Sequence, residues 1–261
     1  MARELRNSSS EGQYRLRRSG MLVQVRHPLL DMWVLDEVFR LRVYEPPHEA
    51  AVPLRALDRP LRIVDLGANV GYFGVFAQEL FPESSILAFE PDPDNARLLS
   101  NCIAANDLQD RWSVVQACAA ISDGTLDFES SGPLSRASAP SDPALGDVQT
   151  RISGVFPFLE GRPLLTPRRV RVASRDVFPF LAGADLVKVD IEGGEWELLA
   201  DPRFAGVEAT AIVLEYHPPY GPGDAAESVL RSAFAEAGYE IGEPVRDEDA
   251  GVVWAWKRAQ P

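Results

Sequence analysis

The segment Val64-Asp65-Leu66-Gly67-Ala68-Asn69-Val70-Gly71-Tyr72-Phe73 reads as a strand that ends in a two-glycine turn and opens directly into a helix. Glycine lets a ligand approach the main chain where a Cβ would collide, and the first amides of a helix are free to donate. A nucleotide-like ligand is therefore expected along Gly67, Ala68, Asn69, Gly71, Tyr72 and Phe73. The spacing is not Gly-x-Gly-x-x-Gly, since the glycine after Gly67 is Gly71, and this argues against a nicotinamide dinucleotide. About twenty residues on, where an acid ending a second strand meets a ribose, stands Glu90, followed by Pro91 and Asp92. A carboxylate there can accept from both ribose hydroxyls, each charge-assisted bond contributing roughly 1.5–3 kcal/mol. Asp65 carries a charge suited to an ammonium group. Without the turn, Glu90 would read equally well as a solvated strand-end charge.

A second constellation is Asp185-Leu186-Val187-Lys188-Val189-Asp190-Ile191-Glu192-Gly193-Gly194-Glu195-Trp196, a hydrophobic strand that carries a lysine and ends in closely spaced carboxylates. Strand alternation puts Lys188 and Asp190 on one face, and a lysine among apolar neighbours needs an acidic partner. Ligands of open α/β sheets bind beyond the carboxyl ends of the strands, so Asp190 and Glu192 are expected beside the reacting group and Asp190 at the cofactor as well. The competing reading is a structural ion pair plus a helix cap, with Glu195 in the first turn. A further strand ends in Glu215-Tyr216-His217-Pro218-Pro219-Tyr220. A neutral imidazole accepts a proton near pH 7, which makes His217 a candidate general base against the alternative of an ordinary turn histidine. His27 and His48, both beside prolines, read as surface turn residues. Asp190 and Glu215 end adjacent candidate strands from which oxygen ligands could hold Mg²⁺, but no ligand spacing demands an ion and no metal is expected.

Regular elements must position these groups. Leu61 to Leu66, Ser85 to Phe89, Trp112 to Ala117, Leu186 to Asp190 and Ala211 to Tyr216 read as strands. Tyr72 to Leu80, Asp94 to Asn106 and Ser228 to Ala237 read as helices, and Tyr239 to Ile241 with Val252 to Trp256 as a terminal pair of strands. The alternation predicts a doubly wound α/β sheet. Ahead of it, Met1 to Gln13 reads as a mobile terminus, Met21 to Val25 as a short strand and Asp31 to Leu41 as an amphipathic helix, together a cap and not a domain. Pro46, Pro47 and Pro53 are expected to interrupt regular structure. Ser130 to Asp147 is a Ser/Pro/Ala/Gly tract followed by an Arg- and Pro-rich stretch to Pro167, which reads either as a surface loop or as a lid with Phe156, Phe158 and Leu159 as its apolar contacts.

A chain of 261 residues with 46% hydrophobic content suits one α/β domain plus a modest cap. A formal charge of -13 disfavours nucleic-acid partners, which attract Lys and Arg to one face. Cys102 and Cys118 lack metal-ligand spacing and fit plain packing in a reducing cytoplasm. No apolar run has signal-peptide or membrane-span length. Lysine occurs only at Lys188 and Lys257 among many arginines, alanines and prolines, a composition suggesting a high-GC bacterial source.

Taken together, Val64 to Phe73, the Ala88 to Asp92 segment with Asn95, Leu98, Asn101 and Asn106, the Ala119 to Gly124 turn, Leu186 to Glu195 and Val213 to Pro218 resemble the FkbM family of methyltransferases. The resemblance spans roughly Val38 to Pro218 and implies a Rossmann-like class I fold, with a mostly parallel seven-stranded sheet and helices on both faces. Residues 1–60 would be extension and cap, and 61–261 the methyltransferase domain with 130–170 inserted. It implies S-adenosylmethionine as cofactor, with roles for Asp65, Gly67, Asn69, Gly71 and Glu90, and usually O-methylation of sugars, polyketides or related metabolites. Gln116 stands where related enzymes often place an acid for the adenine. A small-molecule acceptor is expected, and no membrane or nucleic acid; a homodimer is left open. The rival readings are an N- or carboxyl-methyltransferase and a non-catalytic cofactor-binding protein. An NAD(P) oxidoreductase is disfavoured by the glycine spacing and by a missing Tyr-x-x-x-Lys pair. His217-Pro218-Pro219-Tyr220 is superficially like the Asn/Asp-Pro-Pro-Tyr motif of amino methyltransferases, but it starts with histidine and follows the fifth strand.

Overall fold

The computed structural model describes residues 10–27, 31–130, 136–137, 168–246 and 250–257. Strands β1 (Ser10–Arg15) and β2 (Leu22–His27) form an antiparallel hairpin. Helix α1 (Asp31–Asp36) runs into a π-turn over Glu37–Leu41 that a left-handed Arg42 closes, and α2 (His48–Arg55) follows. Three expectations change here. Ser10 to Gln13 belong to a strand, because β2 offers them a pairing edge. His27 is buried in β2 with Tyr14 Oη 2.8 Å from its Nε2, so it is no surface residue. Pro53 lies inside α2 without ending it, while Ala50, Ala51 and Leu54 supply the buried face.

The central layer begins with β3 (Arg62–Leu66), α3 (Tyr72–Leu80), β4 (Ser85–Phe89), α4 (Pro93–Ala105) and β5 (Trp112–Val115). The chain then departs from the expected simple turn and insertion. The third strand stops at Val115, and β6 (Cys118–Ala120) joins a second, small sheet with β7 (Gly124–Ser130), β8 (Arg136–Ala137) and β9 (Arg168–Asp176) in the order β6-β9-β7-β8. The antiparallel β7–β9 pair is the stalk from which the inserted tract leaves. Residues 131–135 and 138–167 lie outside the described residues, and with them Phe156, Phe158 and Leu159.

The chain returns through α5 (Phe178–Leu181), β10 (Leu186–Val189), α6 (Glu195–Ala200), β11 (Ala211–Tyr216), α7 (Ala226–Glu236), β12 (Tyr239–Ile241), β13 (Val245–Arg246) and β14 (Gly251–Lys257). The main sheet has the order β12-β14-β11-β10-β3-β4-β5, with the short β13 pairing off β14. Strands β5, β4, β3, β10 and β11 are parallel, and β14 runs antiparallel between β11 and β12. This is the expected doubly wound sheet. From β3 the chain moves outward to β4 and β5, then recrosses to β10 on the other side. The order reverses between β3 and β10, and the crevice beyond their carboxyl ends is where such sheets bind ligands.

The parallel strands are near-continuous apolar runs because both faces are covered. On one face Ile63, Ile86, Leu186 and Val213 pack with Phe76 of α3, Leu98 of α4 and the cap residues Val23, Val38 and Leu54. On the other, Val64, Leu66, Val187 and Ile212 meet Leu198 of α6 and Phe234 of α7. Period-two alternation then fixes the polar exceptions: Asp65, Lys188 and Glu215 continue the rows of Ile63, Leu186 and Val213, on the face under the cap. No helix among the described residues is long and apolar enough to cross a membrane.

Candidate active site

The turn after β3 is built against the end of β10. Gly67 has φ +80°, and a Cβ there would lie 1.7 Å from the Asp190 carbonyl oxygen, so glycine is required for conformation and for space. Its carbonyl accepts a 2.6 Å hydrogen bond from Lys188 Nζ, while the amides of Gly67 and Ala68 donate to Phe89 O. Asn69 adopts a left-handed φ of 52° and donates its amide to Glu90 Oε2 at 2.7 Å. Gly71, at φ +92°, starts α3, and a Cβ there would strike Leu99 Cδ1.

Asp65 and Lys188 are register partners on β3 and β10. Lys188 is 3% exposed, with its Nζ 3.4 Å from Asp65 Oδ1 and 3.2 Å from Asp190 Oδ2. Burial opposes its charge, but Asp190, Asp65 and Glu215 outweigh it and hold the group well above the usual lysine range. It is an ammonium, able to anchor and unable to act as a base near neutral pH. The fully buried Asp65 has no hydrogen bond to either carboxylate oxygen, and burial pushes its pKa up. Oδ1 has only the ion pair with Lys188 and Oδ2 has no partner, and such a buried carboxylate beside a glycine turn fits a cationic amino group of a ligand.

Glu90 is 4% exposed and accepts from Asn69 N, Asp92 N (2.9 Å) and Asn95 Nδ2 (3.2 Å). Burial pushes its pKa up to about 7 against these donors. It therefore shapes the turn, a role its sequence position did not show, and its carboxylate retains lone pairs for a ribose. The other residues expected at the cofactor divide. Asp92 caps α4, accepting from the amides of Asp94 and Asn95, so its carboxylate has a structural task. Tyr72 departs from its expected place: its hydroxyl donates to Gln24 O in β2, locking the cap onto α3. Phe73 packs edge-on against Tyr44 with centroids 5.5 Å apart. Pro91 is half-buried between Glu90 and the cap of α4, and Gln116 is exposed just past the end of β5.

At the ends of β10 and β11 the acids expected from sequence do gather. Asp190, Glu192 and His217 each bring one potential ligand atom to within 4.8 Å of the others. His217 Nε2 lies 3.5 Å from Glu192 Oε2, and its Nδ1 lies 3.2 Å from Glu195 Oε1. Glu195, wholly buried at the start of α6, also accepts the amides of His217 and Gly193 at 2.8 Å. This corrects the view of His217 as a neutral imidazole. Its burial disfavours charge, but Glu192, Glu195 and Glu215 outweigh that and raise its pKa well above the ordinary histidine value. Glu215 in turn is pushed up to about 7 by burial and by Asp190, against His217 and a 2.6 Å hydrogen bond from Tyr44 Oη. Tyr44 also reaches Asp190 Oδ2 at 3.4 Å. Sequence reasoning missed it; the only signal was an aromatic residue just ahead of the Pro46-Pro47 pair.

A family model described as the methyltransferase FkbM domain matches residues 65–241. Methyltransferase sdnD of Sordaria araneosa is 30% identical over 194 residues, 69% of this chain and 73% of that protein. Among solved structures, precorrin-6y C5,15-methyltransferase of Geobacter metallireducens aligns with a TM-score of 0.41 at 17% identity, covering 80% of this chain and 88% of that one. Fibrillarin of Aeropyrum pernix, solved with natively bound S-adenosyl-L-methionine, aligns at 0.41 and 12% identity over 97% and 86%. With the family model covering more than half of its length and a methyltransferase among its relatives, the chain belongs to the FkbM methyltransferase family.

Proposed function

We propose that this methyltransferase uses S-adenosylmethionine to methylate a hydroxyl oxygen of a small natural product or sugar, in a bacterial cytoplasmic biosynthetic pathway. The observation that carries the reading is the contact between the two halves of the site. The Gly67 turn, with the non-hydrogen-bonded Asp65 carboxylate behind it, lies directly against the residue that opens the Asp190, Glu192 and His217 group. Asp65 would hold the amino group of the cofactor, Glu90 its ribose, and the amides of Ala68 to Gly71 its approach to the main chain. Bound there, the cofactor supplies an electrophilic sulfonium methyl.

The chain's own contribution is alignment and charge. Lys188 fixes the Gly67 carbonyl and the Asp190 carboxylate with one ammonium, so turn and acceptor cleft keep a common frame, and positioning of this kind supplies much of the acceleration in group transfer. Asp190 is the group assigned to the hydroxyl proton, and His217, held by Glu192 on one side and Glu195 on the other, supplies a positive charge beside it. The cap, through Tyr44, closes the cleft on the side of Glu215.

The test is in two parts. Calorimetric titration of cofactor-stripped protein with S-adenosylhomocysteine, with NAD as control, should show binding of the former alone; a folded sample that binds neither would overturn the cofactor assignment. A mass-spectrometric screen of hydroxyl, amine and carboxyl acceptors should then give methyl ethers. Products methylated only at nitrogen or carboxyl would overturn the oxygen assignment, and binding without turnover on any acceptor would favour a non-catalytic protein.

A further inference from the structure

We infer that Asp190, Glu192 and His217 form a binding site for a divalent transition-metal cation at the acceptor end of the sheet. Their potential ligand atoms lie within 4.8 Å of one another. Ligands sharing an ion at about 2.0–2.2 Å are at most about 4.4 Å apart, so a closure well under an ångström brings all three onto one ion. The Glu192 Oε2 to His217 Nε2 separation, 3.5 Å, already satisfies that limit.

A second observation is the setting of the imidazole. The His217 side chain is nine-tenths buried, and its Nε2 makes no hydrogen bond while it faces Glu192. Its Nδ1 is engaged by Glu195, a carboxylate itself pinned by two backbone amides. A histidine whose far nitrogen is fixed by a buried carboxylate has its ring orientation set and its near nitrogen presented, which is the outer-shell arrangement of metal-ligating histidines, and a cation binding there displaces the Nε2 proton to solvent.

One imidazole and two carboxylates suit Mn²⁺, Fe²⁺ or Zn²⁺ better than the all-oxygen preference of Ca²⁺. The sequence had weighed Asp190 with Glu215 and expected no ion. The structure instead commits Glu215 Oε2 to Tyr44 and turns Glu192, through its left-handed backbone, towards His217. Coordination positions not taken by the chain would be open to the oxygen of an acceptor. That role rests on the methyl-transfer reading; cation binding does not.

The experiment is calorimetric titration of chelator-treated protein with MnCl₂, with ZnCl₂ and MgCl₂ for comparison. S-adenosylhomocysteine is titrated separately, and Glu192→Gln and His217→Gln are run alongside the wild type. One equivalent of Mn²⁺ or Zn²⁺ should bind, and each substitution should weaken it about 10–100-fold while leaving S-adenosylhomocysteine affinity near the wild-type value. That retained affinity also shows the variants to be folded. Absence of cation binding by a wild type that binds S-adenosylhomocysteine would overturn the site, as would binding that both substitutions leave intact. Cation binding lost on substitution, in a protein that ignores S-adenosylhomocysteine, would uphold the site and remove the cofactor reading instead.

Discussion

The ammonium of Lys188 in β10 donates a 2.6 Å hydrogen bond to the carbonyl of Gly67 in the turn after β3, while ion-paired to Asp65 and Asp190. One side chain thus ties the glycine turn to the acids of both strands. Replacing it leaves the buried Asp65 and the half-buried Asp190 without their cation, and breaking a buried pair such as that with Asp65 costs about 3–5 kcal/mol. Lys188→Met should therefore lower stability by that amount in urea denaturation and weaken S-adenosylhomocysteine binding by releasing the turn. A variant as stable as the wild type would show that the ammonium is not the anchor of this cluster.

Gly67→Ala tests the turn more sharply. The new Cβ would overlap the Asp190 carbonyl and sit at a φ that costs an L-residue about 1–2 kcal/mol even in open space. The expected outcome is a lowered melting temperature together with loss of measurable S-adenosylhomocysteine binding by calorimetry. Retained affinity would mean that the turn can move away from β10 without harm to the ligand.

If Glu90 holds the ribose as proposed, cofactor affinity is expected to depend on pH. With its pKa pushed up to about 7 by burial, the carboxylate ionises first in the unfolded chain as pH rises. The group therefore lowers the stability of the unliganded fold between about pH 4.5 and 7 and adds no further change above that. Ribose hydroxyls donate to the ionised form, so affinity should weaken as pH falls through the same point. If only the ionised form binds, S-adenosylhomocysteine should bind about tenfold more weakly at about pH 6 than at about pH 8. Glu90→Gln should bind more weakly at both and lose the dependence. A wild type with flat affinity across that range would remove Glu90 from the ribose site.

How much of this was legible in the sequence follows from where side chains get their partners. β3, β4, β10 and β11 show as apolar runs because they are buried on both faces, and the turn shows because glycine is required there. The small sheet did not show. β9 (RRVRVASRD) buries only Val172 and Ser174 among arginines, so it reads as part of the Arg-rich tract beside it. The positions of Asp65 and Glu90 near the carboxyl ends of β3 and β4 could be read from the strands alone. The state of His217 could not, since it depends on Glu192 and Glu195 arriving from the loop after β10 and from α6, and no spacing in the sequence encodes that approach. Asp92 and Tyr72 sit at legible positions but turn to a helix cap and to the N-terminal cap.

Asp190 is expected to separate binding from turnover. Its carboxylate touches Lys188 and Tyr44, and none of the groups that shape the Glu90 side of the turn. Asp190→Asn should leave S-adenosylhomocysteine affinity nearly unchanged and lower turnover on an identified acceptor by on the order of 100-fold, the scale of a misplaced reacting group. Full activity in this variant would show that the acceptor site is elsewhere.

Tyr44 is the residue that no spacing could have revealed: it lies 171 positions from Glu215 and reaches it only because the cap folds over the carboxyl ends of β10 and β11. Its hydroxyl donates to a half-buried carboxylate, and hydrogen bonds to charged groups contribute about 1.5–3 kcal/mol. Its ring stays packed against Phe73 whether or not the hydroxyl is present. Tyr44→Phe should therefore fold, lose stability within that range, and keep cofactor affinity, since the turn does not touch the hydroxyl. Turnover should fall, because Glu215 and Asp190 lose the group that spans them. If Tyr44→Phe instead matches the wild type in turnover while Tyr44→Ala does not, the ring alone matters, and the cap serves the cleft as a wall and not as a hydrogen-bond donor.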